Sequence, residues 1–206
     1  ILKCASFNES QRLFRMPVQR AFSATGFGTV VTGVPSGGEI FVGDEVDIIG
    51  CSQRHKAKIR KIQVFNVNVD TGKNGYRLAL NLQGVRSDKV GRGCYIVASG
   101  AYRTARILSC KIRILNSIHN PVKNTAEVSI YIGTGRYLGK IIFFDDRKFL
   151  KNGETAFIQF RFEEEIPANV GDRFIMRDSS NMFLLGGGQV LKLSNKKPRR
   201  GKRNLN

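Results

Sequence analysis

Apolar residues in this chain recur at every second position, and nowhere do they hold the 3.6-residue period of an amphipathic helix. That alternation constrains the fold more than any other feature, because successive side chains on a strand point to opposite faces. Ile112 and Ile114 alternate with Lys111 and Arg113, and Ile158, Phe160 and Phe162 share a face opposite Gln159 and Arg161. Ala57 and Ile59 keep one phase, then Ile62 and Val64 take the other, which predicts a bulge or sharp bend near Arg60–Lys61. Pro35-Ser36-Gly37-Gly38 and Gly43-Asp44 are turn chemistry, Asn66 to Asn74 reads as loop, and RLALNL from Arg77 to Leu82 reads as strand. Short strands at this spacing predict an all-β chain of two tandem antiparallel β-barrels. The expected organisation is a polar leader at 1–12, barrels at 13–100 and 101–194, and a basic tail at 195–206.

Composition narrows the class. With 206 residues, 41% of them hydrophobic, the chain is long enough to bury one or two cores. No run approaches the roughly 18 apolar residues of a membrane span, so no membrane partner is expected. The start ILKCASFNES has neither a signal-peptide layout nor an initiator Met, and reads as the beginning of a piece from a longer protein. The formal charge is +18, from 34 Lys and Arg against 16 acids, and an excess of that size points to a polyanion, most often nucleic acid. Lys196, Lys197, Arg199, Arg200, Lys202 and Arg203 make the tail a candidate RNA contact, with a solvated tail as the plain alternative. Cys4, Cys51, Cys94 and Cys110 are far apart, and His55 and His119 stand equally isolated. Neither a zinc site nor a disulfide framework is suggested, and a reducing cytoplasm is the expected location.

Catalytic signatures do not emerge. Gly72-Lys73, Gly139-Lys140 and Gly201-Lys202 are each followed by the wrong residue for a G-x-x-x-x-G-K-[ST] phosphate loop. Gly26-x-Gly28 and Gly133-x-Gly135 lack the third glycine of a dinucleotide fingerprint, and G-x-S-x-G and H-E-x-x-H are absent. Glu163-Glu164-Glu165 reads as a solvated strand end. On these residues the chain is not expected to be an enzyme.

The stretch from Phe14 to Gly33, FRMPVQRAFSATGFGTVVTG, reads on its own as two strands around a glycine-bearing bend. Its wording, F-R-x-P-V-x-R-x-F followed by G-F-G-T-V-V-T-G, resembles the opening of the second domain of translational GTPases, and within them that of the selenocysteine-specific elongation factors. Ile132-Gly133-Thr134, Gly171 to Asp178 (GDRFIMRD) and Gly186 to Val190 (GGGQV) are similar to third-domain phrases of the same factors. The closing KKPRRGKR is similar to a basic segment that follows this domain in the bacterial members.

The resemblance implies elongation-factor barrels, without the GTPase domain that precedes them or the winged helices that follow. GTP and magnesium would belong to that GTPase domain, and no cofactor is expected in this piece. It further implies selenocysteinyl-tRNA, the ribosome and the GTPase domain of the same polypeptide as partners. Carried over residue by residue, the aminoacyl pocket falls on Gln19, Arg20 and Arg77. Arg stays charged and presents several donors, so it favours an anionic selenolate over a neutral hydroxyl. The family pattern has Asp where this chain has Gln19, which replaces a charge-assisted anchor for an arginine with a neutral carbonyl oxygen. The alternatives are exposed barrel arginines with no such role, and a general RNA- or ribosome-binding double barrel without amino-acid selectivity.

Overall fold

Turn residues cut the chain into short strands, and two closed ladders follow from them. The computed structural model describes residues 13–26, 28–118 and 120–196. Contacts divide the chain into two units. One runs to Arg103 and includes Gly133–Gly135; the other holds Thr104–Ile132 and the residues from Arg136 onward.

The first unit opens with the hairpin β1 (Arg15–Ala24) and β2 (Gly28–Gly33), followed by β3 (Glu39–Phe41) and β4 (Glu45–Ile49) on either side of the Gly43-Asp44 turn. Next come β5 (His55–Val64), β6 (Val67–Val69), β7 (Thr71–Lys73), β8 (Leu78–Gln83) and β9 (Tyr95–Ala98). The ladder runs β4-β9-β1-β2-β8-β5, and β5 returns to pair with β4, so six antiparallel strands close on themselves. Closure removes the free edges on which sheets aggregate. Met16, Val18, Val31, Ile48, Leu80 and Ile96 fill the interior. The expected bulge is present: Ile59 opposes Leu82 and Lys61 opposes Asn81, which leaves Arg60 as the extra residue. Asn66 to Asn74 departs from the loop expected there. It carries β6, paired to β5, and β7, paired to β3. Backbone pairing supplies these strands, which are three residues each and carry the Asn and Gly residues common in turns.

The second unit contains β10 (Ala105–Ile114), β11 (Val122–Lys123), β12 (Glu127–Ile132), β13 (Gly135–Phe143), β14 (Phe149–Leu150), β15 (Thr155–Ile166), β16 (Arg173–Asp178) and β17 (Leu184–Ser194). Its barrel order is β10-β15-β13-β12-β16-β17, closed by pairing of β10 with β17. Ile130, Ile141, Ile158, Phe160 and Met176 form its core, with Phe160 edge-on to Phe174 at 5.4 Å between centroids. Gly186 and Gly188 matter here: a Cβ on either would collide with a β10 carbonyl oxygen, of Arg113 and Lys111 respectively. Among the described residues the only helical element is a 3-10 turn at Ser87–Lys89, so the all-β class holds. No helix among them is long and apolar enough to cross a membrane.

Two features tie the first barrel together beyond its core. Arg15 is buried with its guanidinium 4.3 Å from the ring centroid of Tyr95 and 5.9 Å from that of Tyr102, while the Tyr102 hydroxyl donates to the Leu13 carbonyl at 2.7 Å. Asp47 on β4 has a side chain only 2% exposed. It accepts from Arg54 at 2.6 Å and from the Gly100 amide at 2.7 Å, which joins the β4–β5 turn to the end of β9. Burial by itself raises the Asp47 pKa. The hydrogen bonds from Arg54 and Gly100, with the charges of Arg54 and Lys56, outweigh it, and the net shift is downward from 3.8.

The cysteine expectation needs correction. Cys51 and Cys94, 43 residues apart, are joined as a disulfide with Cα atoms 5.2 Å apart. Pairing of β4 with β9, Ile49 opposite Tyr95, brings the two positions together, and linear spacing gives no hint of it. Among the described residues Cys110 is the free cysteine, buried in the second core, where burial pushes its thiol pKa up.

A carboxylate with a lowered folded-state pKa stabilises fully above its unfolded value and ceases to do so as pH falls through the folded one. The first barrel should therefore lose stability as pH drops below about 3.8. Asp47→Ala should cost about 1.5–3 kcal/mol at neutral pH and flatten that acid limb. Chemical denaturation of both proteins from pH 7 to pH 2 checks it; identical acid limbs would contradict it.

Candidate functional site

Strand β1 lies between β9 and β2, and its register changes partway along. Arg15, Met16 and Pro17 face Val97, Ile96 and Tyr95 of β9. Against β2, Val18 opposes Gly33 but Arg20 opposes Thr32, so Gln19 is the additional residue of a β-bulge. Before the bulge the even positions Phe14, Met16 and Val18 point inward; beyond it the odd position Ala21 packs on the core. A bulge re-aims the side chain it carries.

Gly33 of β2 is flanked on its other side by Leu78 of β8, and Arg77 directly precedes Leu78. From these positions the Arg77 guanidinium donates through Nη2 to Oε1 of Gln19 at 2.5 Å. The bond spans 58 residues of sequence and joins two of the three carried-over positions. Gln19 thus holds Arg77. Arg20 is exposed, and its side chain makes no hydrogen bond or ion pair among the described residues. Among the described residues no carboxylate bonds Arg77. Gln19 and Arg77 form a bonded pair of a neutral amide and a guanidinium, and Arg20 adds an exposed guanidinium at the next position of β1. The cluster suits an anion of small size.

An aromatic pair stands at the end of the β5–β8 pairing, where Val64 opposes Leu78. Phe65 and Asn66 form the tip joining β5 to β6 with φ of 50° and 65°. Phe65 is 80% exposed and meets Tyr76, 52% exposed, edge-on at 6.4 Å between centroids. Tyr76 is the residue before Arg77. Sequence reasoning passed over both, and the available signal was the V-F-N-V run, an aromatic beside the turn-forming Asn66.

Two large clefts lie elsewhere. One of about 560 Å³ sits beside the β1–β2 turn, lined by Gly26, Arg60 and Arg86 among others; one of about 680 Å³ in the second unit is lined by Leu138, Arg161 and Phe162. Neither includes Gln19, Arg20 or Arg77. Of the candidate RNA contacts, Lys196 is exposed at the end of β17, its amide bonded to the Ser194 hydroxyl at 3.1 Å. Lys197, Arg199, Arg200, Lys202 and Arg203 lie outside the described residues. Among the described residues no three His, Cys, Asp or Glu side chains gather as metal ligands. No G-x-x-x-x-G-K-[ST] phosphate loop occurs in the sequence.

Comparison with known proteins agrees with this architecture. The family model described as "Selenocysteine-specific elongation factor, beta-barrel domain" matches residues 109–197, the second barrel. Across 193 residues the chain is 34% identical to a protein of Desulfomicrobium baculatum named selenocysteine-specific elongation factor, and the match covers 94% of this chain. The chain belongs to the selenocysteine-specific elongation factor family. It spans 30% of the length of that relative. The relative's match takes in the first barrel as well as the second, since 193 of 206 residues are aligned. In this member of the family, the residue in front of Arg20 is a bulged glutamine that binds Arg77.

Gln19→Ala removes the acceptor from Arg77 while leaving both positions wet, so stability should fall by less than about 1 kcal/mol. Order at the guanidinium should fall much further, with the Arg77 Nε order parameter dropping below about 0.6 in NMR relaxation. An unchanged order parameter would mean that Gln19 does not hold Arg77.

Proposed function

We propose that this chain is the aminoacyl-tRNA-binding part of a selenocysteine-specific elongation factor, and that Gln19, Arg20 and Arg77 receive the selenocysteinyl group. The observation that carries the reading is the Gln19–Arg77 hydrogen bond across the opening strands at a bulge. A selenol is more acidic than a thiol, so selenocysteine is largely anionic at neutral pH while serine is neutral. A guanidinium held in place meets the selenolate with a charge-assisted hydrogen bond worth about 1.5–3 kcal/mol, or roughly one to two decades of selectivity over serine. Desolvation of the anion offsets part of this, less so on an exposed surface. The neutral Gln19 suits the task in one respect: it orients Arg77 without spending its charge on an internal carboxylate.

The neighbouring Phe65–Tyr76 pair supplies exposed ring faces and edges on which an unpaired base at a tRNA 3′ end can stack. The net charge of +18 favours the tRNA backbone, and the basic tail from Lys196 to Arg203 adds to it. Delivery to the ribosome would be driven by a GTPase domain of the same polypeptide, which supplies GTP, magnesium and the switch. That role places the protein in the cytoplasm.

With the chain joined to a translational GTPase domain, Arg77→Ala should weaken selenocysteinyl-tRNA binding about 10- to 100-fold and seryl-tRNA binding far less. Arg20→Ala should act in the same direction. Arg77→Lys should recover only part of the loss, because a point charge does not reproduce the planar fork. Filter binding with the two aminoacyl forms of one tRNA checks this. Equal losses for both would show that these arginines grip RNA backbone, which is the general RNA-binding alternative.

A further inference from the structure

The Cys51–Cys94 pair sits where the ladder between β4 and β9 ends, and it connects to the Gln19 bulge by one hydrogen bond. Cys51 lies in the Gly50–Arg54 turn after β4, and Cys94 immediately precedes β9. The carbonyl of Cys94 accepts the Val18 amide at 2.8 Å. Val18 is the residue before the bulge, and the next side chain, Gln19, holds Arg77. A covalent bond at Cys51 thus fixes the segment that anchors the bulge.

The two sulfurs differ in access. Cys51 is half-buried and Cys94 is 5% exposed, so an incoming sulfur reaches Cys51 and Cys94 resolves from behind. The Gly91 amide donates to the Cys94 sulfur at 3.4 Å, which holds that sulfur at the start of β9. The turns that carry the pair, Gly50–Arg54 and Gly91–Cys94, contain Arg54 and Arg92 and no acid. Asp47 binds Arg54 from β4 and takes up part of that positive charge. Cys110 does not compete, being buried in the second core.

We propose that Cys51 and Cys94 form a reversible thiol–disulfide site, exchanged with low-molecular-weight disulfides and thiols, whose state sets the order of the Gln19 bulge and with it the placement of Arg77. The functional consequence rests on the aminoacyl reading above; the thiol chemistry and its effect on the bulge do not. In the oxidising direction the Cys51 thiolate attacks a small disulfide, and the expelled thiolate takes up the proton that Cys51 lost. The Cys94 thiolate then attacks the Cys51 sulfur of the mixed disulfide and releases the second small thiol, which takes the Cys94 proton. Two protein thiols give up two electrons and two protons, and one small disulfide becomes two thiols. Two small thiols reverse it. Opening the bond leaves Cys94 held by backbone hydrogen bonds alone, and the constraint on the anchor of Val18 is lost.

The test equilibrates the full chain, with Cys4 replaced by Ser, across ratios of reduced to oxidised glutathione. Alkylation with mass analysis reads the thiols, and hydrogen exchange reads the amides of Val18 to Arg20. Cys51 and Cys94 should titrate together as one two-electron couple. On reduction, exchange at Val18 and Gln19 should quicken about tenfold or more, and the first thermal transition should fall by about 10 °C. Cys51→Ser should show the fast exchange at every ratio. If redox state changes exchange at Gln19 while Arg77→Ala weakens the selenocysteinyl and seryl forms equally, the thiol site stands and the aminoacyl reading alone fails. Independent titration of the two cysteines, or joint titration with unchanged exchange at Val18 and Gln19, would overturn the proposal.

Discussion

Register is the constraint on which the rest of this structure depends. In a closed ladder every strand is paired on both sides, so no strand can slide or re-aim a side chain without breaking the pairing of its neighbours. The first barrel breaks it at two places: Gln19 on β1 and Arg60 on β5. Each break adds one residue and turns a polar side chain out of the alternation. β1 carries the heavier demand. It is pinned to β9 by Arg15, Met16 and Pro17, and at Arg15 by the rings of Tyr95 and Tyr102, before it meets β2. The bulge is confined to one position because both flanks are fixed.

The distribution of stability follows. The strong terms lie inside, in the packed isoleucines, leucines and valines of each barrel and in the buried Asp47 cluster. Burial of one such apolar side chain is worth about 1.5–3 kcal/mol, whereas an exposed polar pair contributes about 1 kcal/mol or less. The Gln19–Arg77 bond therefore contributes little to folding. Its geometry is inherited from the barrel beneath it, as a binding constellation requires: rigid elements position the side chains, and the side chains remain available to a ligand.

How much of this was readable from sequence varies by element. The Arg60 bulge was legible because Ala57 and Ile59 against Ile62 and Val64 are large enough to show the change of phase. The same change at Gln19 escaped notice, since the residue that resumes the inward face is the small Ala21, and Phe22, the conspicuous neighbour, is exposed. β6 and β7 were hidden because each is three residues long and set among the turn-forming Asn66, Asn68, Gly72 and Asn74. Two-residue strands such as β11 and β14 are shorter than any period can reveal. Gln19, Arg20 and Arg77 were singled out by family resemblance, not by their chemistry in isolation. That Gln19 bonds Arg77, and that Cys51 meets Cys94, are facts of strand order, which no local pattern encodes.

The central claim is that the fold presents Arg77, steadied by Gln19, to an anionic aminoacyl group. Side-chain nitrogen NMR of the Arg77 guanidinium reads it most directly. The titrant is an aminoacyl-adenosine mimic of the tRNA 3′ end, in one series carrying a selenol and in the other a hydroxyl. The account predicts that the Arg77 resonances move with the selenol form only when it is ionised, and stay in place with the hydroxyl form at every pH. Equal movement with both forms, or none with either, would contradict it.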